Sequence, residues 1–238
     1  MPMLTINGLE LIVNRKEIKN LHISVLPPDG MVRVSAPLKM SEQAIRLAVI
    51  SKLTWIKRQK AEFISQPRQS DREMLYGESH YLWGHRYLLD IAISNKKHSV
   101  VKASNKKLLL TVSEKTPHDK RLKLLNDFYR QEVKDHTDLL LERWQKRLEV
   151  DVLDWAVKKM KTKWGSCNIA SRRILLNSEL AKKPPECLEY ILVHELVHLI
   201  ERHHNERFKA LMDKNMPDWR ERRDLLNSLP LAHDSWEY

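Results

Sequence analysis

The segment His194-Glu195-Leu196-Val197-His198 carries chemistry in its spacing. Residues four apart on a helix lie on one face, so His194 and His198 can offer two imidazoles to one metal ion. Glu195 projects about 100° round from His194 at 3.6 residues per turn. That offset aims its carboxylate at a water on the ion rather than at the ion itself. A helix is indicated independently of the motif, because Leu188, Ile191, Leu192, Leu196, Leu199 and Ile200 form an apolar stripe opposite the histidines. Four of the 11 histidines crowd into this region: His194, His198, His203 and His204.

A catalytic zinc site takes three protein ligands and keeps one position open for water. With two ligands on the helix, the third comes from where the chain turns back. His204 lies six residues past His198, far enough to leave the helix. Asn205 could then cap a following helix that carries Phe208, Leu211 and Met212. His203, Glu201 and Glu206 are rivals, and spacing does not choose between His203 and His204.

The elements around the motif follow from periodicity. Leu9, Leu11 and Val13 alternate with polar residues, as do Leu21, Ile23 and Val25, which run into the turn Pro27-Pro28-Asp29-Gly30. Val32, Val34 and Ala36 form the partner strand. Ser41 caps one amphipathic helix that Ile45, Leu47, Ala48, Ile50, Leu53 and Ile56 carry to about Phe63, with Trp55 in the core. Residues 65–71 read as a polar linker. Alternation at Tyr81 and Trp83, Tyr87 to Ile93, Val100 and Val101, and Leu108 to Val112 predicts a small β-meander.

Thr116-Pro117 opens a long helix whose stripe is Leu125, Tyr129, Val133, His136, Leu140, Trp144 and Leu148. His136 reads as a core or boundary histidine satisfied by a hydrogen bond. A strand follows from Val152 to about Met160, Trp164 to Asn168 is turn-like, and a second strand runs from Arg173 to Leu180. Pro184-Pro185-Glu186 starts the helix of the motif, and Leu229 to Tyr238 reads as a tail. The predicted class is α+β. Residues 1–115 form a β-rich N-terminal region with one amphipathic helix, and residues 116–238 a second domain built on the HExxH helix.

Composition narrows the setting. The 238 residues hold 42 Lys and Arg against 31 Asp and Glu, a net charge of +11, with 42% hydrophobic residues to fill a core. Apolar runs stop at four or so residues, whereas a bilayer needs about 20, so no membrane span is expected. Met1 to Arg15 lacks a basic n-region, so no secretory signal is expected either. Five glycines, without GxGxxG or GxxxxGK[ST], argue against phosphate loops. Two cysteines, Cys167 and Cys187, form no disulfide framework and fit a reducing cytoplasm. Cys187 is expected to be buried.

The basic excess sits early: 27 basic and 17 acidic residues fall in 1–150, but 15 and 14 in 151–238. Arg46 to Lys60 and Ile91 to Val112 each carry five basic residues and no acid. Such stretches are either a solvated basic face or a surface for nucleic acid. No aromatic interleaving accompanies the lysines, so base stacking has no sequence support.

From about Val157 to Leu211 the chain resembles the YgjP-like metallopeptidase family, relatives of the SprT-type zincins. The matching residues are Lys159-Met160-Lys161-Thr162-Lys163-Trp164-Gly165-Ser166-Cys167, Leu176-Asn177, Pro184-Pro185, Tyr190 and the HExxH segment. His204 and Phe208 complete that family's HExxHxxxxxHxxxF pattern. Earlier matches are the Pro-Asp-Gly of 28–30, Trp55-Ile56 and Gly84 to Tyr87. The resemblance implies a zincin-like catalytic domain, zinc (Zn2+) as cofactor, His194, His198 and His204 as ligands and Glu195 as general base. It departs from the metzincin pattern at Glu201, where that group places glycine.

A zincin of this kind would be a cytoplasmic peptidase. Glu195 would take a proton from the attacking water and pass it to the leaving amine. Tyr190, Arg202 and His203 are candidate oxyanion donors. A peptide or protein substrate would add as a strand along 153–160 or 173–178. Trp164 to Cys167 would be a hairpin with Trp164 packed inward, or a cleft wall through Ser166 or Cys167. The alternative is a nucleic-acid-associated protein working through the basic N-terminal part, either a protease on DNA-bound proteins or a binder with structural zinc.

Overall fold

The computed structural model describes residues 3–26, 30–65, 73–95, 97–160 and 163–228. Most of the turn at 27–30, the linker at 65–71 apart from Ser65, Lys96, Lys161-Thr162 and the tail from Leu229 lie outside them. The described residues form two compact units, 3–65 and 73–228.

The first unit holds β1 (Met3–Ile6), β2 (Leu9–Lys16), β3 (His22–Leu26) and β4 (Met31–Pro37) in the order β1-β2-β4-β3. β3 and β4 pair antiparallel as expected, and β2 lies parallel to β4. β1, too short to show a period, joins β2 through Asn7 and Gly8 at φ 48° and 74°, the left-handed pair of a tight hairpin. Ser41 accepts from the Ala44 N–H at 3.2 Å, which caps the helix as expected.

The expected single helix is two, α1 (Glu42–Ser51) and α2 (Leu53–Ser65), broken at Lys52. The buried face nonetheless continues across it, since Ile56 lies about three turns past Ile45 on the same side. Ile56 is fully buried, and Trp55, expected in the core, is 38% exposed. Ile45, Val49 and Ile56 cover Leu11, Val32, Val34 and Ala36 of the sheet.

The second unit begins with β5 (Ser79–Leu82), β6 (His85–Ile93), β7 (Ser99–Ser104) and β8 (Lys107–Val112). It is not the expected meander. β8 inserts parallel to β6 and antiparallel to β7, giving the order β5-β6-β8-β7. α3 (His118–Leu148) buries Leu125, Tyr129, Val133, Thr137, Leu141, Trp144 and Leu148. The buried stripe thus runs through Thr137 and Leu141 instead of His136 and Leu140. His136 is left at the boundary, its Nδ1 3.1 Å from the Glu132 carbonyl and its ring 4.1 Å from Trp83.

A small sheet follows: β9 (Asp154–Lys158), β10 (Gly165–Asn168) and β11 (Arg173–Asn177), ordered β10-β11-β9. Gly165 to Asn168, expected as a turn, is a strand because it pairs antiparallel with β11, not because of its own residues, none of which is β-branched or aromatic. A 3-10 turn at Ser178–Lys182 leads to α4 (Pro185–Val197), then α5 (Glu206–Asn215) and α6 (Trp219–Ser228). α4 is buried on nearly every side, including Leu188, Leu192, Val193, Leu196 and Val197.

The division between units falls between 65 and 73 rather than at 115/116. The apolar faces of β5, β6 and β8 (Leu82, Tyr87, Leu89, Leu108, Leu110, Val112) share one core with α3 and α4. The β5–β6 turn also abuts the start of α4. Trp83 donates its N–H to the Ala181 carbonyl at 2.7 Å, and a Cβ on Gly84 would stand 2.9 Å from Pro184 Cγ.

Asn177 locks the approach to β10. Its buried amide accepts from the N–H groups of Met160 and Glu179 at 3.2 and 3.1 Å, and donates to the carbonyls of Met160 and Lys163 at 2.9 and 2.8 Å. Asn177→Ala leaves several of these backbone groups unpaired and is expected to cost about 3 kcal/mol, read as a lowered urea midpoint with unchanged slope.

Candidate metal centre

Four residues of rise keep His194 and His198 on one face of α4, with ring centroids 4.9 Å apart. The helix then tightens. Leu199 and Ile200 donate to carbonyls three residues back, at 3.0 and 2.9 Å. The chain reverses over 201–205, and Asn205 caps α5 by accepting from the Phe208 N–H at 3.0 Å.

This reversal brings the His204 ring to 4.9 Å from His194 and 4.7 Å from His198. The three residues offer ligand atoms that all lie within 4.8 Å of one another. His203, Glu201 and Glu206 do not join them. Glu201 instead shapes the reversal. Its carbonyl faces His198 Nδ1 at 3.1 Å, and its carboxylate accepts from the His203 N–H at 3.2 Å.

The donor set fits one cation. Nitrogens bound at 2.0–2.1 Å to one tetrahedral ion stand roughly 3.3 Å apart, and the Nε2 atoms of His194 and His204 are 3.0 Å apart. Two facing lone pairs at that distance repel unless a proton or a cation lies between them. The Glu201 carbonyl engages His198 Nδ1, which leaves its Nε2 free as a donor to an ion. His194 Nδ1 is buried without a hydrogen-bond partner among the described residues, a poor setting for an imidazolium. Burial, then the neighbouring His198 and His204, push its pKa down to about 3. Burial likewise lowers His198. Both rings are therefore neutral, and so able to bind metal, at pH 7.

Phe208 forms the floor, with its ring centroid 4.8 to 5.0 Å from each of the three imidazoles. Tyr190, one turn before His194, meets that ring edge-on at 5.9 Å and stacks on Trp219 at 6.4 Å.

Glu195 is 7% exposed and faces β10. Burial raises its pKa to about 7, against the opposing pull of Lys163 and of a hydrogen bond from the Cys167 backbone N–H. Gly165 makes this approach possible, since a Cβ there would stand 2.7 Å from Glu195 Oε1 and 2.8 Å from Ile191 Cγ2. The only sequence sign of that role is a glycine in a chain with five. Trp164 packs partly buried on the core, with Lys183 Nζ 5.6 Å from its ring centre. Cys187 is buried and Cys167 half-buried, both as free thiols.

β10 and β9 are the edges of the small sheet and β11 is its centre. The expectation that substrate could add along 173–178 therefore fails, because both sides of that strand are already paired. β10, which had been read as a turn, is the edge beside Glu195.

A family model described as YgjP-like, metallopeptidase domain, matches residues 19–229. The chain belongs to that family. The match takes in β3, β4, α1 and α2 of the first unit and the described residues of the second, and leaves out β1 and β2. Among solved structures, the chain is similar to the metallopeptidase zymogen abylysin of Pyrococcus abyssi, at 24% identity. That likeness covers 40% of this chain and 90% of the other, with a TM-score of 0.35. No curated protein matches. Family membership supports a hydrolase of the metallopeptidase type acting on peptides or proteins. No helix among the described residues is long and apolar enough to cross a membrane. The two basic stretches fall in different units, α1–α2 and β6–β8, and neither the family nor these folds supports the nucleic-acid expectation.

Proposed function

We propose that this YgjP-like chain is a zinc-dependent peptidase in which His194, His198 and His204 hold the ion and Glu195 is the general base. The observation that carries the reading is the convergence of three imidazoles within 4.8 Å, next to a glutamate seated on β10. Bound zinc supplies a Lewis acid that acidifies a water toward pKa 7 and polarises the scissile carbonyl.

The chain's own residues do the rest. Glu195, poised near pH 7 by burial, accepts the attacking water's proton and returns it to the leaving amine. The Cys167 N–H fixes the carboxylate while it waits. Phe208 excludes water from beneath the triad. Tyr190, against the His194 ring, and Arg202, in the cleft that His198 lines, are candidate donors to the developing oxyanion. β10 offers an edge along which an extended peptide can pair.

Metal analysis of the purified chain tests this reading. The expected result is one zinc per chain, loss of peptide hydrolysis on chelation and recovery on adding zinc. His204→Ala is expected to weaken zinc binding by more than the roughly 10- to 100-fold that outer-shell changes cost. A His204→Ala chain that keeps full zinc affinity would remove this histidine from the ligand set.

A further inference from the structure

Beside the triad, the end of β10 and the turn after it face the segment that follows α4. Cys167, Asn168, Ile169 and Ala170 form one wall, and His198, Leu199, Ile200 and Arg202 the other, around a cleft of about 610 Å³. Two of these residues tie the cleft to the reaction centre. His198 belongs to the triad, and the Cys167 N–H holds Glu195. A peptide with its reacting carbonyl at the triad therefore has a neighbouring side chain at the mouth of this cleft.

The lining has a definite chemistry. Ile169, Ala170, Leu199 and Ile200 give it apolar surface beside the polar atoms of Cys167, Asn168 and His198, and Ile169 is 39% exposed on the β10–β11 turn. Turn tips favour Gly, Asn, Asp and Ser, so local turn chemistry does not account for an aliphatic residue there. Arg202, the one formal charge in the lining, sets a cation on the wall. Substrate along the β10 edge would place alternate side chains toward the helix, and so toward this cleft.

We propose that the cleft between Cys167–Ala170 and His198–Arg202 is the specificity pocket of the site. It takes one bulky apolar side chain (Leu, Ile, Met or Phe) next to the scissile bond and rejects Lys and Arg. The inference rests on the peptidase reading for its meaning but not for its test. A pocket of this kind discriminates large from small side chains by roughly 10- to 200-fold.

The test is a binding selection. Full-length Glu195→Gln protein, loaded with zinc and immobilised, is exposed to an equimolar pool of octapeptides randomised at every position, and the retained peptides are sequenced by mass spectrometry. The expected result is at least a tenfold enrichment of Leu, Ile, Met and Phe, with depletion of Lys and Arg, at one position. Ala170→Trp, added in the same background on an exposed turn residue, is expected to fill the cleft and move that preference to Gly, Ala and Ser. Ser171→Ala, on the same turn and outside the lining, is expected to leave it unchanged. No apolar enrichment, or an enrichment that Ala170→Trp does not alter, overturns the proposal. Hydrolysis of the same pool by the unmutated, zinc-loaded chain is scored separately. Its absence would count against the peptidase reading while leaving the binding result to decide the pocket.

Discussion

Glu195→Gln is expected to keep zinc bound and to lower kcat by 10²- to 10⁴-fold, the usual range for a lost general base. The amide keeps the carboxylate's size and can still accept the Cys167 N–H, so the fold around it is preserved. Metal content and kcat on one peptide read the two halves of the prediction. The metal-free protein supplies an independent check. Burial lifts the Glu195 pKa from 4.5 to about 7, so the stability tied to this group is full below about pH 4.5 and is lost as pH rises through 7. Gln carries no such proton. The variant should therefore overtake the parent in urea stability between pH 4.5 and 8, by on the order of 3 kcal/mol. His194 acts oppositely, losing stability as pH falls from 6.5 toward 3, but it does so in both chains and cancels. A variant with parental turnover would show that Glu195 is not the base.

Gly165→Ala is expected to strike the same residue from the other side. The added methyl would lie 2.7 to 2.8 Å from Glu195 Oε1 and Cγ and from Ile191 Cγ2. Ile191 is anchored in the core, so the glutamate side chain or β10 itself must yield. Overpacking of this kind costs about 1–3 kcal/mol. A displacement near 1 Å at a reacting group can cost 10²-fold in rate. The expected signature is a fall in kcat of one to two orders of magnitude with zinc affinity unchanged, because the atoms nearest the added methyl belong to Glu195 and Ile191 and not to an imidazole. If turnover survives while stability falls, the glutamate does not need the place it now holds.

The metal-binding half of the site was legible because helical periodicity is local. An i, i+4 histidine pair on an apolar stripe and a Ser, Asn or Pro at a helix start each depend on a few neighbouring residues. His204 could not be separated from His203 by spacing. That choice is made by the reversal at 201–205, where Glu201 binds both the His198 ring and the His203 N–H.

What the sequence hid is what partners decide. β10 has no strand-forming residues and becomes a strand only against β11. The parallel pairing of β6 with β8 cannot be seen in alternation, which reads the same for either strand direction. Trp55 and Ile56 are both apolar, and the one in phase with Ile45 and Val49, Ile56, is the one buried. Gly165 and Asn177 act through contacts with residues 30 and 17 positions away, respectively.

The fit of Gly84 against Pro184 reaches beyond the turn that makes it. Pro184 immediately precedes the helix that bears two of the three imidazoles, so the β5–β6 turn acts as a doorstop for that helix. A fragment cut at 115/116 would retain the whole HExxH pattern yet lose that stop and strip the cover from Leu125, Tyr129 and Val133. The helix of the triad is thus braced from outside the segment that carries the motif.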